Sequence, residues 1–427
     1  MQHHSDQDIL AATFGGVARR RQPLVPLHQL PRAANASSAT TDTDASSTFL
    51  GSRYTQALAA AEAATSRATR ARDVCAAAFL KFSEVYPNLI SFGVSEHCGY
   101  HRRTMEDFMS VFIPTTTTPP PLFVSVFDGH GGHCVAELLA TGTSSNASSG
   151  SEQYTTPYNL LERISDRLAQ AEQRTACATA ASLFLSQKQM SHGIPRLSWT
   201  PDTLPTFSEI VKHEFETYDK TVLQRLHTGS GGKFKTCGST TTVCKIEFVT
   251  KIDGSLRNAI VQCASVGDSE MFLIRRRCIG GKTVTAERVS IAHDPASEID
   301  RISEAGGLVF GKRLCGALAV SRAFGDFGFK GSECNSGLIA TPMVSSKVSV
   351  FGKDPDCTDA VLAIASDGLW NGIPSAADFA NELYELLDAG VVLQQALDDI
   401  CKRASSESRD NTSAIALRFI RSADDNS

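Results

Sequence analysis

"LFVSVFDGHGG", residues 122–132, runs through six residues of strand-forming character, reaches an aspartate and breaks into glycines. The segment Leu122 to Phe127 reads as a buried strand, and Asp128 stands where that strand stops. The same arrangement recurs twice. "IVQCASVGDSE", residues 260–270, closes on Asp268, and "AVLAIASDGLW", residues 360–370, closes on Asp367. "TMEDFMSVF", residues 104–112, inverts the order by setting Glu106 and Asp107 ahead of a strand. A strand end is a rigid mounting at the rim of a core, suited to a site that needs fixed geometry.

Asp-Gly is also a common hairpin turn, and the chain supplies its own control. "KIDGSLRN", residues 251–258, places Asp253 and Gly254 between two strand-like runs with polar flanks and reads as a plain hairpin. The pairs at 128 and 367 follow long apolar strands and lead into "HGGHCVAELLA" and "LWNGI". Carboxylates about 4 Å apart repel by roughly 4 kcal/mol at an effective dielectric near 20, so convergence of these acids calls for a cation. Oxygen-only donors suit Mg²⁺ or Mn²⁺, and no His or Cys spacing points to zinc. At this level a carboxylate metal site and a set of separate turns remain equal alternatives.

Working outward, the chain has 427 residues, 42% hydrophobic and 20% charged, enough for one large domain or two smaller ones. Its 41 basic and 46 acidic residues leave a net charge of −5, without the basic excess that marks a nucleic-acid or anionic-membrane partner. No apolar run reaches the roughly 20 residues of a membrane span. The twelve cysteines contain no C-x-x-C pair and read as reduced, buried, small apolar residues. An intracellular compartment is expected, the cytoplasm first, with nuclear and mitochondrial placement open.

Residues 1–50, with "RAANASSATTDTDASS", read as a disordered tail. The acid-free stretch from Ile9 to Thr41, carrying Arg19, Arg20, Arg21 and Arg32, is faintly like a transit peptide, but a solvated tail is the preferred reading. Residues 51–89 form a helical extension, with a helix from Tyr54 to Phe82 in an alanine-rich stretch free of Gly and Pro. An insertion spans 141–205 and holds a helix from about Tyr158 to Leu185; residues 421–427 are a short tail.

Eight motifs, in order, make a combined signal: "GYHRRTMEDFMSVF", "VFDGHGG", "CGSTTTVC", "SVGDSE", "EIDRISEAGGLV", "LCGALAVSRAFGDF", "LAIASDGLWN" and "SRDNTSAIALRF". Over about residues 90–420 the chain resembles the metal-dependent protein phosphatase family, type 2C. The resemblance implies an α+β fold, a four-layer α/β/β/α sandwich of two antiparallel sheets flanked by helices, with the active site in a cleft at one end. It implies a serine/threonine phosphatase that hydrolyses phosphoserine and phosphothreonine by attack of a metal-bridging water or hydroxide, without a covalent intermediate. Two Mg²⁺ or Mn²⁺ ions are expected, with a weaker third, and phosphoprotein substrates and a monomeric chain follow as expectations.

Carried over by position, the resemblance makes Asp128 the bridging ligand and gives one ion the Gly129 carbonyl. Asp367 and Asp410 would hold the first ion, and Glu106 would serve the second directly or through water. Asp107 would orient metal-bound water behind them. Asp268, with Asp367, would take the third ion, near Asp326. Arg102 is the expected phosphate-binding arginine, its planar fork matching two phosphate oxygens. His130 is the expected general acid for the leaving alkoxide.

"GST" at 238–240 and "AGG" at 305–307 read as structural, and Ser321 and Arg322 as members of a buried polar network. Glu270, Cys315 and Asn371 depart from the family's usual residues, and "SIAHDPASEIDR" departs from its D-H-x-P segment. The alternative function is a catalytically inactive module of the same fold, since fold alone does not guarantee activity. A cysteine phosphatase would need C-x₅-R and a calcineurin-like enzyme "GNHE"; neither string occurs.

Overall fold

Two antiparallel sheets account for the apolar runs of the sequence. The first runs in the order Ser91–His97, Thr412–Ile420, Cys357–Ala365, Glu270–Arg277, Thr283–Arg288. The second runs Met343–Val344, Leu256–Val266, Thr241–Thr250, Leu122–Phe127, Phe108–Phe112, with Val348–Ser349 also paired to Leu256–Val266. The structure is a computed structural model and describes residues 71–114, 119–145, 153–156, 158–173, 205–277, 283–330 and 336–421.

Period-two alternation decides which residues face which layer. In Cys357–Ala365, Ala360, Leu362 and Ile364 join Val124, Val126, Ile246, Val261, Leu273, Ile415 and Leu417 in one core between the sheets. Val361, Ala363 and Ala365 point the other way, under the helices Ala376–Asp388 and Leu393–Ser408. On the second sheet Phe123, Phe127, Val243 and Val266 face outward beneath Cys134–Thr141, Phe207–Thr217 and the helical residues 160–173. Both faces of each central strand are therefore buried, which is why "LFVSVF" and "AVLAIA" read as nearly unbroken apolar runs. The result is the expected α+β sandwich.

Residues 71–85 are helical and present Cys75, Phe79 and Phe82, spaced by four and three, to the core between the sheets. Phe79 stacks on Phe92 with centroids 5.0 Å apart, and Phe82 meets Phe248 at 5.4 Å. The helix continues to 85, beyond the expected end at Phe82; its expected first part, the tail 1–50, residues 422–427 and the insertion from 174 to 204 lie outside the described residues. Within the insertion, Thr143–Ser145 pairs with Gln153–Thr155.

The control turn behaves as read. Thr241–Thr250 and Leu256–Val266 pair antiparallel, and Asp253 Oδ1 accepts the Ser255 N–H at 2.9 Å. Cys75, Cys237, Cys244, Cys263, Cys357 and Cys401 are buried, but Cys98 and Cys315 are exposed, because both lie in loops rather than in a packed element. Among the described residues no helix is long and apolar enough to cross a membrane.

Candidate metal centre

The acids gather where both sheets end. Asp128 follows Leu122–Phe127 and Asp268 follows Leu256–Val266, both in the second sheet; Asp367 follows Cys357–Ala365 of the first. One carboxylate oxygen from each of Asp128, Asp268 and Asp367 lies within 4.8 Å of the other two.

The glycines beside the acids explain why they meet. A Cβ on Gly129 would come 2.2 Å from the Glu106 carbonyl oxygen, and one on Gly368 would come 1.9 Å from that of Asn411. Gly254, in the control hairpin, has φ +82° and open space around it. Gly254 serves the turn; Gly129 and Gly368 instead let a second acid-bearing segment lie directly against the first. That contact separates the metal-site reading from the hairpin reading.

Electrostatics show what this convergence costs. Burial, then the charges of Asp107, Asp367, Asp268 and Asp410, hold the Asp128 pKa well above the carboxylate range. Burial and then Asp367 push Asp268 up to about 7, while burial and then Asp410 raise Asp367. Asp107 is also pushed up to about 7 by burial, although the neighbouring Ser366 and Ser413 oppose the shift. Buried Asp107 Oδ2 and Asp326 Oδ1 have no hydrogen-bond partner. An all-oxygen donor set whose members raise one another's pKa fits a hard divalent cation such as Mg²⁺ or Mn²⁺.

The remaining expected residues surround this trio. Asp410 is outside it: one oxygen pairs with the Arg102 guanidinium, and the other accepts the Asn411 N–H at 2.8 Å. Its charge still raises Asp367. Burial opposes the Arg102 charge, but Asp410, Glu106 and Asp128 together raise its pKa. Glu106 is partly buried at the rim, where Thr104 Oγ1 donates to its Oε1 at 3.4 Å.

Asn411, from the "SRDNTS" motif, ties the Arg102 loop to the last strand. Its Oδ1 accepts the Gly99 N–H at 3.2 Å and its Nδ2 donates to the Thr104 carbonyl at 3.0 Å. Asn371, one of the departures, donates from Nδ2 to Asp367 Oδ2 at 3.0 Å.

His130 and Asp326 meet through a small sheet of Phe324–Gly325, Gly238–Ser239 and Gly129–His130. The imidazole Nε2–H donates to Asp326 Oδ2 at 2.6 Å. A Cβ on Gly238 would lie 2.1 Å from that oxygen and 2.5 Å from Nε2, which gives the "GST" glycine its physical reason. Burial disfavours the imidazolium, but the hydrogen bond and charge of Asp326, with Asp268 and Glu106 beyond it, outweigh burial and raise the His130 pKa. Sequence reading placed Asp326 near the third ion and did not pair it with His130. Ser321 and Arg322 enter the expected polar network through Glu298, which accepts from Ser321 Oγ at 2.6 Å and from Arg322 Nε at 2.9 Å.

The protein phosphatase 2C family model matches residues 196–413. "Protein phosphatase 2C homolog 2" of Schizosaccharomyces pombe is 25% identical over 319 residues, covering 73% of this chain and 65% of that protein. "Probable protein phosphatase 2C 58" of Oryza sativa subsp. japonica is 25% identical over 355 residues, covering 77% of this chain and 84% of that protein. The solved serine-threonine phosphatase 2C from Toxoplasma gondii has a similar fold, with TM-score 0.51 and 19% identity over 78% of this chain and 96% of that one.

Proposed function

The chain belongs to the protein phosphatase 2C family, and from that premise we propose that it is a metal-dependent protein serine/threonine phosphatase acting on phosphoserine and phosphothreonine. One observation supports this reading above the others: Asp128, Asp268 and Asp367, drawn from two sheets, converge beside a guanidinium and a raised-pKa imidazole.

Asp128, Asp367 and Asp268 are the residues that would hold Mg²⁺ or Mn²⁺, with the Gly129 carbonyl, Glu106 and Asp410 around them. Bound ions would supply Lewis acidity and lower the pKa of a water for in-line attack on phosphorus. Arg102, about half exposed and anchored at Asp410, can present its planar fork of N–H donors to two phosphate oxygens. His130 commits Nε2 to Asp326, which leaves Nδ1 to pass a proton to the departing serine or threonine oxygen. Such proton transfer contributes about 10² to 10⁴ in rate. Asp107, buried behind the acids beside Ser366 and Ser413, orients water rather than substrate.

The test is hydrolysis of 4-nitrophenyl phosphate and a phosphothreonine peptide with added Mn²⁺ or Mg²⁺. Turnover is expected with either ion, to vanish in EDTA and to be nearly absent in Asp128→Ala and Asp367→Ala. Turnover that survives EDTA, or wild-type rates in either variant, overturns the proposal.

A further inference from the structure

Asp326 and the residue before it are held in a conformation that L-residues avoid. Gly325 has φ +73° and Asp326 φ +52°. The left-handed region is disfavoured for a non-glycine residue, so it persists where neighbours over-determine it. Four hydrogen bonds do so here. The Asp326 N–H donates to the Cys237 carbonyl at 2.9 Å. The Gly325 N–H donates to Asp219 Oδ1 at 2.8 Å. Lys330 Nζ donates both to Asp219 Oδ2 at 2.8 Å and to the Ala323 carbonyl at 2.7 Å. A buried carboxylate and a partly buried ammonium thus grip the backbone on either side of Phe324.

The element carrying Asp219 is itself irregular. Phe207–Thr217 is α-helical, but Tyr218–Leu223 widens into a π-helix before Gln224–Gly229 resumes the α form. Tyr218 and Asp219 are both buried, and the Tyr218 ring meets Phe324 edge-on at 6.4 Å. Short π segments are frequent at functional sites, and this one delivers a carboxylate to the chain that holds the imidazole's partner.

We propose that Asp219 is a positioning residue for proton transfer: by fixing the Gly325 N–H it locks Asp326 in its left-handed conformation, and Asp326 in turn holds His130 in register with the acid cluster. The inference rests on the phosphatase reading for its kinetic consequence and on this geometry alone for its structural one. Losing the Asp219 acceptor frees the Gly325 N–H, lets Asp326 relax toward ordinary φ and withdraws Oδ2 from the imidazole.

Three variants test it. Asp219→Asn keeps an acceptor for the Gly325 N–H; Asp219→Leu removes it; Asp219→Leu with Lys330→Met removes it without leaving a buried ammonium unpaired, a replacement cores generally tolerate. Each is assayed on 4-nitrophenyl and phenyl phosphate, substrates of similar size of which phenolate, the poorer leaving group, needs more help from an acid. In the double variant kcat on phenyl phosphate is expected to fall by about tenfold or more, and on 4-nitrophenyl phosphate by less than about threefold, while Asp219→Asn stays near wild type. A purely structural role would lower both esters by the same factor.

The second readout is the downfield imidazole proton of the His130–Asp326 hydrogen bond in EDTA-treated protein, assigned by its loss in His130→Gln. It is expected in wild type and Asp219→Asn and absent from the double variant. Persistence of that proton in a folded double variant, or equal losses on the two esters, overturns the inference. If the wild type hydrolyses neither ester, the phosphatase reading fails while the proton signal still decides the positioning role.

Discussion

At His293 the imidazole Nδ1–H donates to the Gly267 carbonyl at 3.1 Å, while Nε2 is buried without a partner. Burial first, then the neighbouring Arg322 charge, pushes its pKa from 6.5 down to about 4. The unfolded chain therefore binds a proton that the folded chain refuses. Stability from this residue is complete above pH 6.5 and is lost as pH falls toward 4, by about 3 kcal/mol in all. Urea unfolding of wild type and His293→Gln between pH 7.5 and 4 checks it: the wild-type midpoint should fall more steeply, and parallel curves would refute the assignment. At this scale the sequence exposed Asp128, Asp268 and Asp367, because an acid closing an apolar run is visible in one dimension. It concealed the His130–Asp326 pair and the two anchors of Asn411, which depend on segments 196 and 307 or more positions apart meeting in space.

Among the elements, the helix over 71–85 carries the clearest energetic consequence. Phe79 is fully buried against Phe92 in the core between the sheets. Phe79→Ala should destabilise the protein by about 3–5 kcal/mol, measured by urea unfolding, because a large aromatic leaves a cavity that the sheets cannot collapse to fill. An effect below about 1 kcal/mol would show that the helix is only loosely attached. Alanine-rich composition announced a helix here, yet the spacing of Cys75, Phe79 and Phe82 identifies which face docks, and only the fold identifies its target. The π-helix at Tyr218–Leu223 left no comparable trace, since propensity does not distinguish it from the α-helix before it.

For the molecule as a whole, the acid cluster opposes stability. The raised pKa of Asp128 means that the folded state disfavours its ionised form, so its carboxylate weakens folding as pH rises above the ordinary carboxylate range. Asp128→Asn should therefore be more stable than wild type in EDTA. Thermal melts in EDTA and in Mn²⁺ check this. Added Mn²⁺ should raise the wild-type midpoint and leave the variant nearly unmoved, and a variant less stable than wild type in EDTA would contradict the argument.

The four layers were legible only as what the resemblance implied, and Leu122 to Phe127 as a buried strand. The order of strands within each sheet was not, and it has a consequence for biosynthesis. Ser91–His97 pairs with Thr412–Ile420, which also pairs with Cys357–Ala365. A ribosome therefore releases Ser91–His97 well before the strand that pairs with it, so the nascent chain must shelter an incomplete sheet until Thr412–Ile420 emerges.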